Sequence, residues 1–80
     1  MSKAKAIKLA TALNVELDYG QFRYAYYDIA APKGLKFASN DSHALFAECD
    51  TMREMWSSLV EDLSYGLDTC DAANCEFCTK

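Results

Sequence analysis

Three cysteines crowd the end of the chain, Cys70, Cys75 and Cys78, in the stretch CDAANCEFC. Their spacing is C-x4-C-x2-C, and C-x2-C is the commonest half of a zinc site. Zinc takes four nitrogen or sulfur donors in tetrahedral array, so a full set needs one more donor from earlier in the chain. Cys49 and His43, the chain's single histidine, are the two candidates. The helix expected between Cys49 and Cys70 is over about 20 Å long, which sets those two cysteines at its opposite ends. His43 precedes Cys49 by about 20 Å of extended strand, which sets it toward the strand's other end. Three readings of the tail stay open: a zinc clasp using Cys70, Cys75 and Cys78, a disulfide within the tail, and plain thiols.

Nucleophilic catalysis is the other chemistry that a cysteine and a histidine offer. It needs a nucleophile and an orienting acid beside the imidazole. Asp41, Ser42 and Cys49 neighbour His43 in sequence, but no elbow or Gly-rich loop frames them. There is no phosphate-binding loop and no dinucleotide fingerprint. The chain reads as a protein that is not an enzyme. Five tyrosines raise base stacking on a sheet, as RNA-binding sheets do it. The strands carry few cations to hold phosphates, so half-buried strand tyrosines or interface anchors are the better reading.

The elements that must hold these residues follow from periodicity. Ala6, Leu9, Ala10 and Leu13, widened by Ile7, share one side of a helix over residues 3–13, with Ser2 as its cap. Lys3, Lys5 and Lys8 oppose the dipole there, so that helix depends on packing. Val15, Leu17 and Tyr19 alternate with Glu16 and Asp18, a half-buried strand over 15–19 with its carboxylates in water. After a turn at Gly20-Gln21, residues 22–30 form an aromatic strand that changes parity between Tyr26 and Tyr27, so either both faces are partly covered or a bulge shifts the register. APKG (31–34) is a turn with Pro at its second position and Gly at its fourth, and a strand follows over 35–39. In SHALFAEC the Ala, Leu and Glu favour helix, but the span between turn and helix cap fits a fourth strand over 43–48. Thr51 and Glu54 make a capping box for a helix over 52–65, ended by Gly66. Met52, Met55, Trp56, Leu59, Val60 and Leu63 are its apolar side. A tail over 67–80 follows. The expected class is α+β: one domain over 1–80, an N-terminal helix, an antiparallel meander of three or four strands, a long C-terminal helix and the cysteine tail.

At 80 residues the core is modest, but 51% hydrophobic and 25% charged residues make a globular composition. The net charge of −4 is uneven: residues 1–40 hold six Lys/Arg against three Asp/Glu, and residues 41–80 hold two against nine. An acidic body argues against direct binding of nucleic acid or anionic membranes, and suits a partner with a basic groove. The candidate partner-binding carboxylates are Glu16, Asp18 and Asp28 on strands, then Glu48, Asp50, Glu54, Glu61, Asp62 and Asp68 around the second helix. No secretory leader precedes a cleavage site, and no run approaches the roughly 20 apolar residues of a membrane span. A cytoplasmic protein with reduced thiols is expected.

The segments APKGLKF, SHALFAE and WSSLVEDLSYGL, with the cysteine-rich end, resemble small proteins of phages and mobile elements. In size, acidity and α+β character the chain is similar to the anti-CRISPR families. The resemblance implies an inhibitor in the host bacterial cytoplasm that binds a CRISPR surveillance complex and blocks target DNA, in some families by DNA mimicry. The basic first helix departs from a uniformly acidic mimic, so mimicry and a mixed-charge interface both stay open. The alternative function is a small zinc-stabilised regulatory or interaction module built on the tail cysteines.

Overall fold

Helix α1 (Ser2–Ala12) carries three lysines and no acidic residue in its first turn. Its dipole is therefore uncompensated, and packing holds it. Ala6 and Ala10 are buried, and α1 lies mainly against the second helix. The end of α1 is set locally. Asn14 takes a φ of 59°, the left-handed region that Asn tolerates. The Asn14 N–H then reaches the Thr11 carbonyl at 3.1 Å and the Val15 N–H reaches that of Ala10 at 2.9 Å. These are the paired bonds of a Schellman ending, with Val15 and Ala10 packed into the core beside them.

The structure, a computed structural model, describes residues 2–70 and residue 75. Three strands, β1 (Glu16–Gln21), β2 (Ala25–Ala30) and β4 (Ala44–Cys49), form an antiparallel sheet in the order β1-β2-β4. Helix α2 (Met52–Ser64) packs against β2 and β4. Its cap is the expected box on the Thr51 side, where Thr51 Oγ1 accepts the Glu54 N–H at 3.2 Å. Met55, Trp56, Leu59 and Leu63 are buried beneath it against Ala25, Tyr27 and Ile29 of β2. Each fully buried large side chain there contributes about 1.5–3 kcal/mol. Gly66, at φ 77°, turns the chain out of the helix. The α+β class, with an N-terminal helix, antiparallel strands and a later helix, is as the sequence predicts.

The connectivity is richer than a meander. Strand β3 (Leu35–Phe37) leaves the main sheet and pairs with β5 (Leu67–Thr69), which lies inside the expected tail. Leu35 stands opposite Thr69 and Phe37 opposite Leu67. Phe37 is fully buried and Leu67 packs on the core, so this small sheet closes one end of it. Gly20-Gln21 is strand, not turn, because Gly20 pairs with Tyr26 and leaves room for that ring. A Cβ on Gly20 would stand 2.9 Å from the Tyr26 hydroxyl. The hairpin bends instead at residues 22–24, where the Phe22 N–H meets the Tyr24 carbonyl at 2.9 Å. The strand therefore starts at Ala25, and no bulge is needed to explain the parity change. The APKG turn is shifted by one residue: the Leu35 N–H bonds to the Pro32 carbonyl at 3.0 Å, with Gly34 at φ 87° as the third residue. Strand β3 stops at Phe37, because Asp41, at φ 57°, folds its N–H back onto the Phe37 carbonyl at 2.9 Å. Among the described residues no helix is long and apolar enough to cross a membrane.

Candidate functional site

The register decides which side chains emerge from the outer face of the three-stranded sheet. Asp18 stands directly opposite Asp28, and Glu16 lies two residues from Asp18 on the same face. Across the next ladder Asp28 opposes Phe46 and Tyr26 opposes Glu48. Glu16, Asp18, Asp28 and Glu48 are all exposed, on the face away from α2. No outward position of these three strands carries Lys or Arg. Like charges set directly opposite destabilise a strand pair, so the Asp18–Asp28 pairing runs against local stability. A shallow hollow of about 260 Å³ opens among Glu16, Asp18 and Asp28.

Beside the carboxylates runs an aromatic row. Tyr26 stacks with Phe46 at 5.9 Å between ring centroids, and Tyr24 meets Tyr26 edge-on at 6.4 Å. Phe46 is 53% exposed, and Phe22 at the hairpin bend is 81% exposed. The four carboxylates around these rings set a negative potential that disfavours phosphates. Phe46 was hidden in the sequence because SHALFAEC satisfies both a strand and a helix reading. Only the strand reading separates Phe46 and Glu48 from Leu45 and Ala47.

The other predicted carboxylates fall elsewhere. Glu54, Glu61 and Asp62 sit on α2, on the opposite layer, with Asp50 just before it and Asp68 on β5. Asp62 is turned inward. It accepts a hydrogen bond from the Tyr27 hydroxyl, which also lies 3.0 Å from Ser58 Oγ. Burial, then the bond to Asp62, hold the Tyr27 phenol well above its ordinary pKa. Cys49, on the inner face at the end of β4, is likewise pushed up by burial and by the nearby Glu54 and Asp50 carboxylates. Asp68 stands opposite Lys36, whose ammonium is held above its usual range by Asp41 at 2.5 Å and, more weakly, by Asp68 and Cys70.

A second constellation forms where the two sheets meet. The β3–β5 pairing carries Cys70 back to the start of β3, where its N–H bonds to the Gly34 carbonyl at 3.0 Å. His43 lies just before β4, and its carbonyl accepts the Ala31 N–H at 2.8 Å. Its Nδ1 lies 2.9 Å from the Leu35 carbonyl. A carbonyl can only accept, so Nδ1 carries a proton, and in the neutral ring Nε2 presents its lone pair. Cys75 Sγ stands 3.1 Å from that Nε2. One donor atom each from His43, Cys70 and Cys75 all lie within 4.8 Å of one another. Cys49 sits at the far end of β4 from His43, as the strand length implies. Cys78 lies outside the described residues. The sequence offers His43 and Cys49 alike as the added donor; the choice of His43 depends on β5, a strand of only three residues, too short to show a period.

Between the starts of the helices an apolar groove of about 640 Å³ is lined by Ser2, Lys3, Ala4, Ile7, Arg53 and Trp56. The Lys3 ammonium lies 5.8 Å from the Trp56 ring centre. Its helical spacing puts Trp56 on the apolar side of α2. It is 6% exposed, and Tyr19 meets it edge-on at 4.7 Å. No protein-family model matches the chain, and neither a curated protein nor a solved structure is detectably similar to it.

Proposed function

We propose that the protein is a binding module that places its open sheet face on a basic, nucleic-acid-binding groove of a protein partner and blocks it. One observation carries this reading. Glu16, Asp18, Asp28 and Glu48 are exposed on one sheet face where, among the described residues, no strand position carries a cation, although two of them stand directly opposite each other. A stable sheet alone gives no reason for that pairing. A lysine- and arginine-lined groove does, because it neutralises the pair and is steered onto the face at long range. The aromatic row of Tyr24, Tyr26 and Phe46 then supplies the apolar contact that fixes the complex. The chain acts by occupancy and catalyses nothing.

The resemblance to the anti-CRISPR families names a CRISPR effector complex as the partner to try first. A purified effector complex is incubated with labelled target DNA and increasing amounts of the protein. The protein is expected to displace the DNA, and displacement is expected to weaken as salt rises. The double variant Asp18→Lys, Asp28→Lys is expected to lose about tenfold or more in apparent affinity. Glu61→Lys, on the opposite layer, serves as the control and keeps its potency. Equal DNA binding with and without saturating protein counts against inhibition of that partner. Full potency of the double variant rules out the open face.

A further inference from the structure

We propose that His43 Nε2, Cys70 Sγ and Cys75 Sγ are ligands of a zinc ion that clasps the chain beyond β5 to the β3–β4 corner. This site is separate from the open sheet face and does not depend on the reading given above.

The geometry suits the ion. Zinc bonds sulfur at about 2.3 Å and imidazole nitrogen at about 2.0 Å, so tetrahedral donors stand about 3.5–3.8 Å apart. The donors lie close to that spacing, with Cys75 Sγ 3.1 Å from His43 Nε2 and one donor atom from each of the three residues within 4.8 Å of the others. Nitrogen and thiolate donors select zinc over magnesium or calcium, which take oxygen.

The histidine is also prepared for the role. Metal-bound imidazoles generally donate their second N–H to a carbonyl or carboxylate, which fixes tautomer and ring orientation. Here the Leu35 carbonyl takes the Nδ1–H at 2.9 Å, and the His43 backbone is held by Ala31 at 2.8 Å. Cys70 is placed by its N–H bond to Gly34 at 3.0 Å. His43 and Cys70 are thus anchored by backbone bonds, and Cys75 meets them through its side chain. Binding converts the two thiols to thiolates, and their protons pass to solvent. The fourth tetrahedral position is left to water.

The full chain, purified under reducing conditions, is tested with zinc and with cobalt(II) as a spectroscopic stand-in. Native mass spectrometry is expected to show one zinc per chain, absent under denaturing conditions. Cobalt is expected to give thiolate-to-metal charge-transfer absorption and the intense visible bands of a tetrahedral ion. His43→Ala, Cys70→Ser and Cys75→Ser are each expected to weaken zinc binding about 100-fold or more. Cys49→Ser, at the far end of β4, is expected to leave it unchanged. Should a variant lose its far-ultraviolet dichroism, the cobalt spectrum of the unaltered chain still decides the matter. Absence of zinc from the reduced chain, a cobalt spectrum without thiolate bands, or unaltered binding in the His43 variant overturns the proposal.

Discussion

One face of the β1-β2-β4 sheet is closed by the helices and the other is open, and the same three strands build both. On the closed face Leu17, Tyr19, Ala25, Tyr27, Ile29, Leu45, Ala47 and Cys49 meet α2 and the core around it. The polar groups there are satisfied, the Tyr27 hydroxyl by Asp62 and Ser58. On the open face two aspartates are set against each other and two aromatic rings stack in water. Strand alternation forces the two faces to be chosen independently, residue by residue. The inner face is what a stable sheet requires. The outer face departs from those requirements, and departures of this kind cluster where a protein binds something.

Substitutions should therefore separate stability from binding according to face. The largest loss is expected from Leu59→Ala. Leu59 is fully buried where α2 meets the sheet, and truncation leaves a cavity that the packed strands cannot fill. Urea denaturation is expected to show a loss of about 3 kcal/mol, a large share of the total for so small a domain.

Next comes Tyr27→Phe, which keeps the ring and removes the hydroxyl from Asp62 and Ser58. A cost of about 1–2 kcal/mol is expected, because those partners lose a bond in a part-buried place. The pH dependence sharpens the test. In the unfolded chain the phenol ionises near pH ~10, whereas the folded phenol is held higher by burial and by Asp62. Below that ordinary value its contribution is fully present. Above it the unfolded chain gives up a proton that the folded chain keeps, so stability falls as pH rises. The difference between the two proteins' alkaline denaturation curves is expected to shrink above pH ~10. A constant difference would mean that the Tyr27 phenol is not protected by the fold.

The closed face and the helices were legible in the sequence because they obey simple periods. The Thr51–Glu54 box, the α2 stripe ending in Leu63 and the Glu16/Asp18 alternation each repeat often enough to be recognised. What escaped depends on contacts between distant segments. Strands β3 and β5 span three residues each, and their pairing is set by the fit of Phe37 and Leu67 to the end of the core. The meeting of His43 with Cys70 and Cys75 follows from that pairing and had no local signature. The open face was half legible: the strand carboxylates were visible, but the sharing of their face with Tyr26 and Phe46 required the register. Acidic residues of α2 looked equivalent in sequence, yet Asp62 faces the sheet because Ser58 and Asp62, one turn apart, both point at Tyr27.

The smallest effect is also the one that bears most directly on the open face. Asp28→Asn keeps the shape of the side chain and removes one of the two opposed charges. If the outer face is free of intramolecular duties, stability should not fall. It should rise by about 0.2–0.5 kcal/mol, because the repulsion across the Asp18–Asp28 pair is relieved. Thermal denaturation at low salt is the measurement, and the gain should shrink at high salt, where the repulsion is screened. Binding to a basic partner should move the opposite way, with weaker affinity and a shallower salt dependence. Stabilisation together with lost binding is the signature of a residue kept for a partner at the fold's expense. A loss of more than about 1 kcal/mol would show instead that Asp28 supports the sheet, and the two faces would no longer differ in kind.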